Sequence, residues 1–298
     1  MDKFKAMSAF VHIVEAGSLT GAAERLGISL TAVVRTLAAL EQGLGVRLLN
    51  RTTRRIALTD EGREYFERCR HLLADLEEAE NALSDRQLTP SGRLAITAPV
   101  TFGRLHVAPV VTDFLVAYPE MRARLLLLDR VIDLLEEGID LAIRIGPLPD
   151  SSLVAIPLGT TGRVVCASPD YLARQGVPQR PADLAEHRTV RFTGMGNGSD
   201  WFFARGGETQ KVAIADTFAA NQVDVALDAC RKGLGCGYFL GYQVRELEAS
   251  GQLVRILRDW EPEPVSVSLA YPHSRLLSPR IRAFVDWATP RLRECLAG

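Results

Sequence analysis

The chain is poor in the residues that build disulfide scaffolds and metal centres. Its 298 residues include five cysteines, Cys69, Cys166, Cys230, Cys236 and Cys295, an odd number without a CxxC pair. That argues against a disulfide framework and against a zinc site, so the cysteines read as buried small hydrophobes. The five histidines are scattered, without HExxH or a Cys/His cluster, and no metal ligand is expected. No uninterrupted apolar run reaches the roughly 18 residues that span a bilayer. The N-terminus, MDKFKAMSAFVHIVEAG, is amphipathic and carries acids where a signal peptide needs an unbroken apolar core. A cytoplasmic protein without membrane contact is therefore expected.

Enzymatic signatures are missing too. The chain has no GxSxG elbow, no P-loop, no GxGxxG after a strand, and no Ser/His/Asp set that a motif picks out. Gly233 to Gly241, GLGCGYFLG, has glycine spacing unsuited to a phosphate cradle and reads as a closely packed strand. The expectation is that the protein is not an enzyme. Neither Cys230 nor Cys236 has a local cluster of bases to lower its thiol pKa, which disfavours a redox sensor.

What the chain does have is an uneven charge distribution. Residues 1 to 58 hold eight bases against four acids, and the remainder holds 27 bases against 32 acids. A basic head on an acidic body suits phosphate binding, because neutralised phosphates release counterions. Phe4, Met7, Phe10, Val11 and Val14 recur at helical spacing, predicting a helix over 2 to 16 that ends near Gly17. Ser18 caps a short helix, Leu19 to Leu26, closed by Gly27, and Ser29 caps the next, which runs to about Gln42. Two helices joined by a glycine turn, with small Ala22 and Ala23 allowing close approach, make a helix-turn-helix. Arg47 to Thr59 then alternates like a small β-hairpin with arginines at its tip. Such a wing would set its arginines on phosphates beside the recognition helix.

Thr59, Asp60 and Glu61 open a long helix, with acids suited to the helix dipole. Along it Tyr65, Cys69, Leu72, Leu76, Ala79 and Leu83 follow 4,3,4,3,4 spacing, the seam of a coiled-coil-like dimer. Gln87 to Gly92 breaks the pattern. Strands at Arg93 to Ala98, Arg122 to Leu128 and Asp140 to Ile145 alternate with helices at Phe102 to Tyr118 and Val131 to Glu137. That order predicts a parallel sheet covered by helices. A second alternating stretch begins at Arg163 and runs to about Trp260, before a strand at Val265 to Tyr271 and a helix from Pro279.

The segments SLTGAAERLGIS, AALEQGLGVRLLNRTTRRIALTDEG, GRLAITAPVTFGRLHVAP, DLAIRIGPLPDSSLVA, CASPDYLA and YPHSRLLSPRIRAFVDW resemble, in order and spacing, the LysR-type bacterial regulators. The resemblance covers nearly the whole chain. It implies an α/β protein with an all-α winged helix-turn-helix head (1–59), a linker helix (60–88) and a two-lobed effector domain of the periplasmic-binding-protein type 2 class (92–298). Lobe I would be 92–162 plus 267–298 and lobe II 163–266, crossing at two hinge strands. It further implies that Ser29, Leu30, Thr31, Val34 and Arg35 face the major groove of an operator, with Arg51, Thr52, Arg54 and Arg55 serving the wing. A homodimer or tetramer, RNA polymerase contact and a small-molecule inducer, with no other cofactor, complete the expectation.

One departure matters. The family usually reads like SQxAVSR where this chain has Ser29-Leu-Thr-Ala-Val-Val-Arg35. Leu30 and Val34 cannot hydrogen-bond a base edge, though either can touch a thymine methyl. Ligands of open α/β sheets bind beyond the carboxyl ends of strands. That rule selects Pro99, Val100, Thr101 and Phe102 after the first strand, Asp129 and Arg130 after the second, and Arg144, Ile145 and Gly146 after the third. Phe192, Asn221 and Phe239 would face them from lobe II. Thr101 stands out, because it joins a hydroxyl to a helix start whose free N–H groups attract anions.

Overall fold

The computed structural model describes residues 2–52, 55–82, 90–148, 152–195, 200–273 and 278–297. The chain forms two compact units, Met1–Gly92 and Arg93–Gly298.

In the first unit, α1 (Lys3–Ala16), α2 (Leu19–Leu26) and α3 (Leu30–Leu44) each start at a side-chain cap. The Asp2 carboxylate accepts from Lys5 N at 3.2 Å, Ser18 Oγ from Gly21 N at 3.0 Å and Ser29 Oγ from Ala32 N at 3.2 Å. Such a cap stabilises its helix by about 1 kcal/mol. Gly27, at φ 64°, takes the left-handed conformation that ends α2 and turns the chain into α3. Phe10, Ile13, Val33, Leu37 and Leu48 are buried at the centre of the three helices. A hairpin follows, β1 (Leu49–Thr52) antiparallel to β2 (Arg55–Leu58), with Leu49 opposite Leu58 and Thr52 opposite Arg55. The Glu41 carboxylate of α3 accepts from Leu48 N at 2.8 Å and Leu49 N at 3.2 Å, fastening the helix to the hairpin.

Helix α4 (Asp60–Ala82) begins at Thr59, whose Oγ1 accepts from Gly62 N at 2.9 Å and donates to Arg47 O at 2.8 Å. A Cβ on Gly62 would stand 1.9 Å from Leu48 O, so only glycine allows this approach. The proposed intermolecular seam requires correction here. Cys69 is fully buried in the head's own core, and the Tyr65 ring lies 5.9 Å from that of Phe10. Phe66 and Leu73 complete this inner stripe. Because the head covers the stripe only as far as Leu73, Leu72 at its edge and Leu76 beyond it stay exposed. The Ala79 side chain and Leu83 lie outside the described residues.

The second unit has two five-stranded sheets. One orders β4 (Met121–Leu127), β3 (Gly92–Ala98), β5 (Leu141–Ile145), β14 (Val265–Pro272) and β6 (Leu153–Thr161). The other orders β11 (Phe218–Ala220), β8 (Thr189–Phe192), β12 (Cys236–Leu240), β7 (Arg163–Ala167) and β13 (Val254–Ile256). A separate hairpin, β9 (Asp200–Arg205) and β10 (Glu208–Ala213), flanks the second sheet's lobe. The expectation of a parallel sheet is corrected to mixed ones. β3 and β5 run parallel, but β14 is antiparallel to both β5 and β6, because the chain returns from the second lobe in the opposite sense. Only Gly162 separates β6 from β7, so the lobes join through nearly continuous strand, held where Gly241 N donates to Gly162 O at 2.8 Å.

After β3 the chain enters α5 (Val100–Phe102), a π turn (Gly103–Val107) and α6 (Ala108–Ala117) without leaving helical backbone. This 18-residue stretch is long and apolar enough to cross a membrane, yet Phe102, Val107, Val110, Val111 and Phe114 are buried in the lobe. The helix expected over Val131 to Glu137 does not form. The Asp133 carboxylate takes the N–H groups of Leu135 and Glu136 at 2.8 and 3.0 Å, and Gly138 at φ 62° ends the turn. Buried Ile132, Leu134 and Ile139 then anchor a single turn too short to propagate. Lobe II adds α7 (Pro169–Gln175), α8 (Val223–Arg231) and α9 (Gly241–Ala249), and α10 (Pro279–Ala297) closes lobe I. Near the start of α10, buried Arg280 sits 3.8 Å from buried Asp140, which also accepts from Ala95 N at 2.8 Å.

Candidate DNA-binding surface and effector cleft

The inner face of α3 is spent on packing, since Val33, Leu37 and Leu40 are buried. Its outer face is therefore free: Ser29, Leu30, Thr31 and Arg35 are exposed and Val34 is half-buried. Leu30 is 46% exposed, which places a large aliphatic group where bulk water offers it no partner. Ile28, just before the cap, is similarly exposed and was not among the residues picked from the sequence. The backbone of Arg51, Thr52 and Arg55 lies in the hairpin next to this helix, while Thr53 and Arg54 lie outside the described residues.

In the second unit, topology gathers the selected lobe I residues at one sheet edge. β3 and β5 pair in parallel, Thr97 opposite Ala142, so Pro99, just past β3, and Arg144, near the end of β5, lie at the same end of the sheet. Leu128 N donates to Ala98 O at 2.9 Å, bringing Asp129 alongside. The Val100 N–H, the first donor of the helix start, is already bound to Asp129 Oδ1 at 3.1 Å. That corrects the picture of a helix end open to anions: the chain supplies its own carboxylate. Burial pushes the Asp129 carboxyl up, and the Val100 hydrogen bond opposes the shift. Thr101 is only 4% exposed, so its hydroxyl is screened from solvent in this arrangement.

The other members divide. Arg144 donates through Nη2 to Ile132 O at 2.9 Å, and burial lowers its pKa from the usual arginine value. Gly146 N donates to Ser266 O at 2.8 Å, tying β5 to the start of β14. Ile145 packs against the lobe I core. Arg130 is exposed and pairs with Glu137 at 3.5 Å. Phe102 and Phe239 are corrected to core residues, both fully buried, and Phe192 is buried as well. Asn221 is exposed.

Contacts between the lobes also bring in residues that no local signal marked. A Cβ placed on Gly194 would lie 3.2 Å from the Asp129 Cβ, so the two lobes meet there. Tyr242, at the start of α9, stacks edge-on to Phe102 with ring centroids 5.3 Å apart. His106 lies 4.9 Å from Phe102 and 5.9 Å from Tyr242. Arg104 reaches Asp224 at the start of α8, 3.4 Å away, with both side chains more than half exposed. An exposed pair of this kind contributes about 0–1 kcal/mol, too little to lock the lobes together. The buried thiols of lobe II fare differently from a redox pair: burial raises Cys166 and Cys230 well above the ordinary thiol value and Cys236 to about 12. In all three, burial disfavours the thiolate.

Two family models match this chain: "LysR substrate binding domain" over residues 87–293 and "Bacterial regulatory helix-turn-helix protein, lysR family" over residues 4–63. An HTH-type transcriptional repressor of Pseudomonas aeruginosa is 40% identical over 296 residues, covering 99% of this chain and 93% of that protein. The crystallised LysR-type regulator CrgA of Neisseria meningitidis is 32% identical, with a TM-score of 0.62 over 99% of each chain. The full-length Vibrio cholerae virulence activator AphB gives a TM-score of 0.62 at 29% identity, covering 97% of this chain and 98% of that one.

Proposed function

The chain belongs to the LysR family of bacterial transcriptional regulators, and from that premise we propose which parts read DNA and which sense the effector. The protein is a DNA-binding regulator with a helix-turn-helix head and an effector-binding domain. Thr31 and Arg35 supply polar contacts to base edges, and Leu30 and Val34 supply methyl-to-methyl contact with thymine. Arg51, Thr52, Arg54 and Arg55 hold the backbone beside them, while Ser29 is engaged as a cap. The observation that carries this reading is the exposure of Leu30, Thr31 and Arg35 on a helix whose opposite face is buried.

The effector is a small molecule held between the lobes near Thr101, Asp129 and Gly194. The working form is a cytoplasmic homodimer or tetramer able to contact RNA polymerase, with domains at 1–59, 60–88 and 92–298. No catalytic step is assigned. The test is a gel-shift against the protein's own upstream region, with and without small aromatic and carboxylate metabolites, over a range of salt. Arg54→Ala or Arg55→Ala should weaken binding to all sequences alike and lower the salt slope by about one. A change of base preference with an unchanged slope would move these arginines from the backbone to the bases.

A further inference from the structure

Just past β4, Asp129 reaches the interlobe cleft, where it is half-buried and accepts from Val100 N through Oδ1 at 3.1 Å. Val100 opens the helical stretch that continues to Ala117. A second N–H of its first turn, that of Phe102, is bound by the Tyr242 phenol of lobe II. That phenol also accepts from Gln243 Nε2 at 3.3 Å. A carboxylate ligand arriving at this helix start would therefore meet a like charge and two N–H groups already engaged.

The neighbouring cations are engaged elsewhere. Exposed Arg130 pairs with Glu137 at 3.5 Å, and Arg104 reaches Asp224 at 3.4 Å. Arg144 donates to Ile132 O and lies on the side of β5 that carries Ala142 and its small cluster with Ile132 and Leu134, away from the core that holds Phe102. The Arg245 charge is felt by His106 but not by Asp129, whose carboxyl is raised by burial and lowered only by the Val100 hydrogen bond. Among the described residues Asp129 has no ion-pair partner. The plain alternative is a cap, since negative charge at a helix start suits the dipole. A cap needs only an acceptor, however, and asparagine or serine supplies one without drawing a charge out of water.

Lobe II meets lobe I at this same charge. A Cβ on Gly194 would lie 3.2 Å from Asp129 Cβ and would collide with the Phe192 ring, so the bare backbone of Gly194 sits between the carboxylate and an aromatic side chain. Tyr242 adds a second ring, edge-on to Phe102. An uncompensated carboxylate beside aromatic rings is the surrounding that an organic cation prefers, through a charge-assisted hydrogen bond and through the ring faces. We propose that the interlobe site takes a ligand that presents a protonated amine or an amidine to Asp129 and an apolar body to the rings, and that it disfavours carboxylates. This inference rests on the reading of the cleft as the effector site and adds the charge of the effector to it.

The test is calorimetric titration of the full-length protein with benzamidine, benzylamine, benzyl alcohol and benzoate, which share a ring and differ in the group it carries. Benzamidine or benzylamine should bind saturably, at least tenfold more tightly than benzyl alcohol or benzoate. This ranking is read on the wild-type protein and needs no variant. Asp129→Asn retains an acceptor for Val100 N and removes the charge, so binding of the amine or amidine should weaken at least tenfold. Three results would overturn the proposal. One is the absence of saturable binding by either cation; an effector found by gel-shift whose affinity falls in Thr101→Val would then leave the cleft reading standing alone. Another is cation binding that Asp129→Asn leaves unchanged, which puts the cation elsewhere on the protein. The third is benzoate binding more tightly than the cations and weakened in Thr101→Val, which would keep the cleft as the effector site and reverse its charge preference.

Discussion

His106 shows how one side chain records its surroundings. Its ring packs against those of Phe102 and Tyr242, and Nε2 is buried without a hydrogen-bond partner among the described residues. Burial, and then the Arg245 charge, lowers its pKa below 6.5. The folded protein therefore favours neutral imidazole. The stability this contributes is complete above pH 6.5 and is lost as pH falls toward the folded-state value. All three tryptophans, Trp201, Trp260 and Trp287, lie in the effector unit, so their fluorescence follows that unit alone. Urea unfolding should show stability falling below pH 6.5 with a contribution of up to about 1.4 kcal/mol per pH unit from this group. His106→Phe should remove that contribution, and an unchanged slope would place the titration elsewhere. Residues of this kind are hard to recognise in a sequence. Phe102, Phe192 and Phe239 stand at or near strand ends, as a ligand-binding residue would, yet they are buried. Position along a strand fixes which end a residue occupies, whereas neighbours distant in sequence decide whether it faces core or cleft.

Among the elements, α4 offers the sharpest separation of roles. Cys69→Asp would bury a charge in the head core and should destabilise that unit by more than about 3 kcal/mol. Leu76→Asp alters an exposed position and should leave the head folded while dissociating the oligomer. Circular dichroism and sedimentation velocity distinguish the two, and an intact Leu76→Asp oligomer with normal operator binding would show that the exposed part of the stripe is not a subunit contact. The helices of the head were legible because Ser18, Ser29 and the glycines after the helices act within a turn of their own position, whereas the Asp2 cap of α1 was not read. The partner of the α4 stripe was not, since one apolar stripe serves a neighbouring helix and a second subunit equally well. Val131 to Glu137 misled for a related reason: its apolar spacing is helical, but Asp133 and Gly138 stop it after one turn.

For the whole molecule, a ligand shifts a two-lobed sensor only by binding its arrangements unequally. Because the Arg104–Asp224 pair is weak and exposed, the set of the lobes is open to such a bias. Thr101→Val keeps the shape of the side chain and removes its hydroxyl. It should weaken effector binding by about 1 kcal/mol, roughly fivefold, with operator affinity in the absence of effector nearly unchanged. Paired titrations of operator and effector read this out, and equal effector affinity in both proteins would remove Thr101 from the site. The operator itself is constrained by a quieter feature. Glu41 of α3 accepts the N–H groups of Leu48 and Leu49, which fastens that helix to β1, so the proposed recognition helix and the proposed wing should hold a fixed spacing. On the proposed reading, the head would act on the duplex as a calliper of fixed jaw width. One base pair inserted between the helix footprint and the wing footprint shifts them by about 3.4 Å along the axis. A hinged head would follow that shift by bending, whereas a rigid one would have to give up one jaw, so base pairs that the protein never touches would still be counted by it.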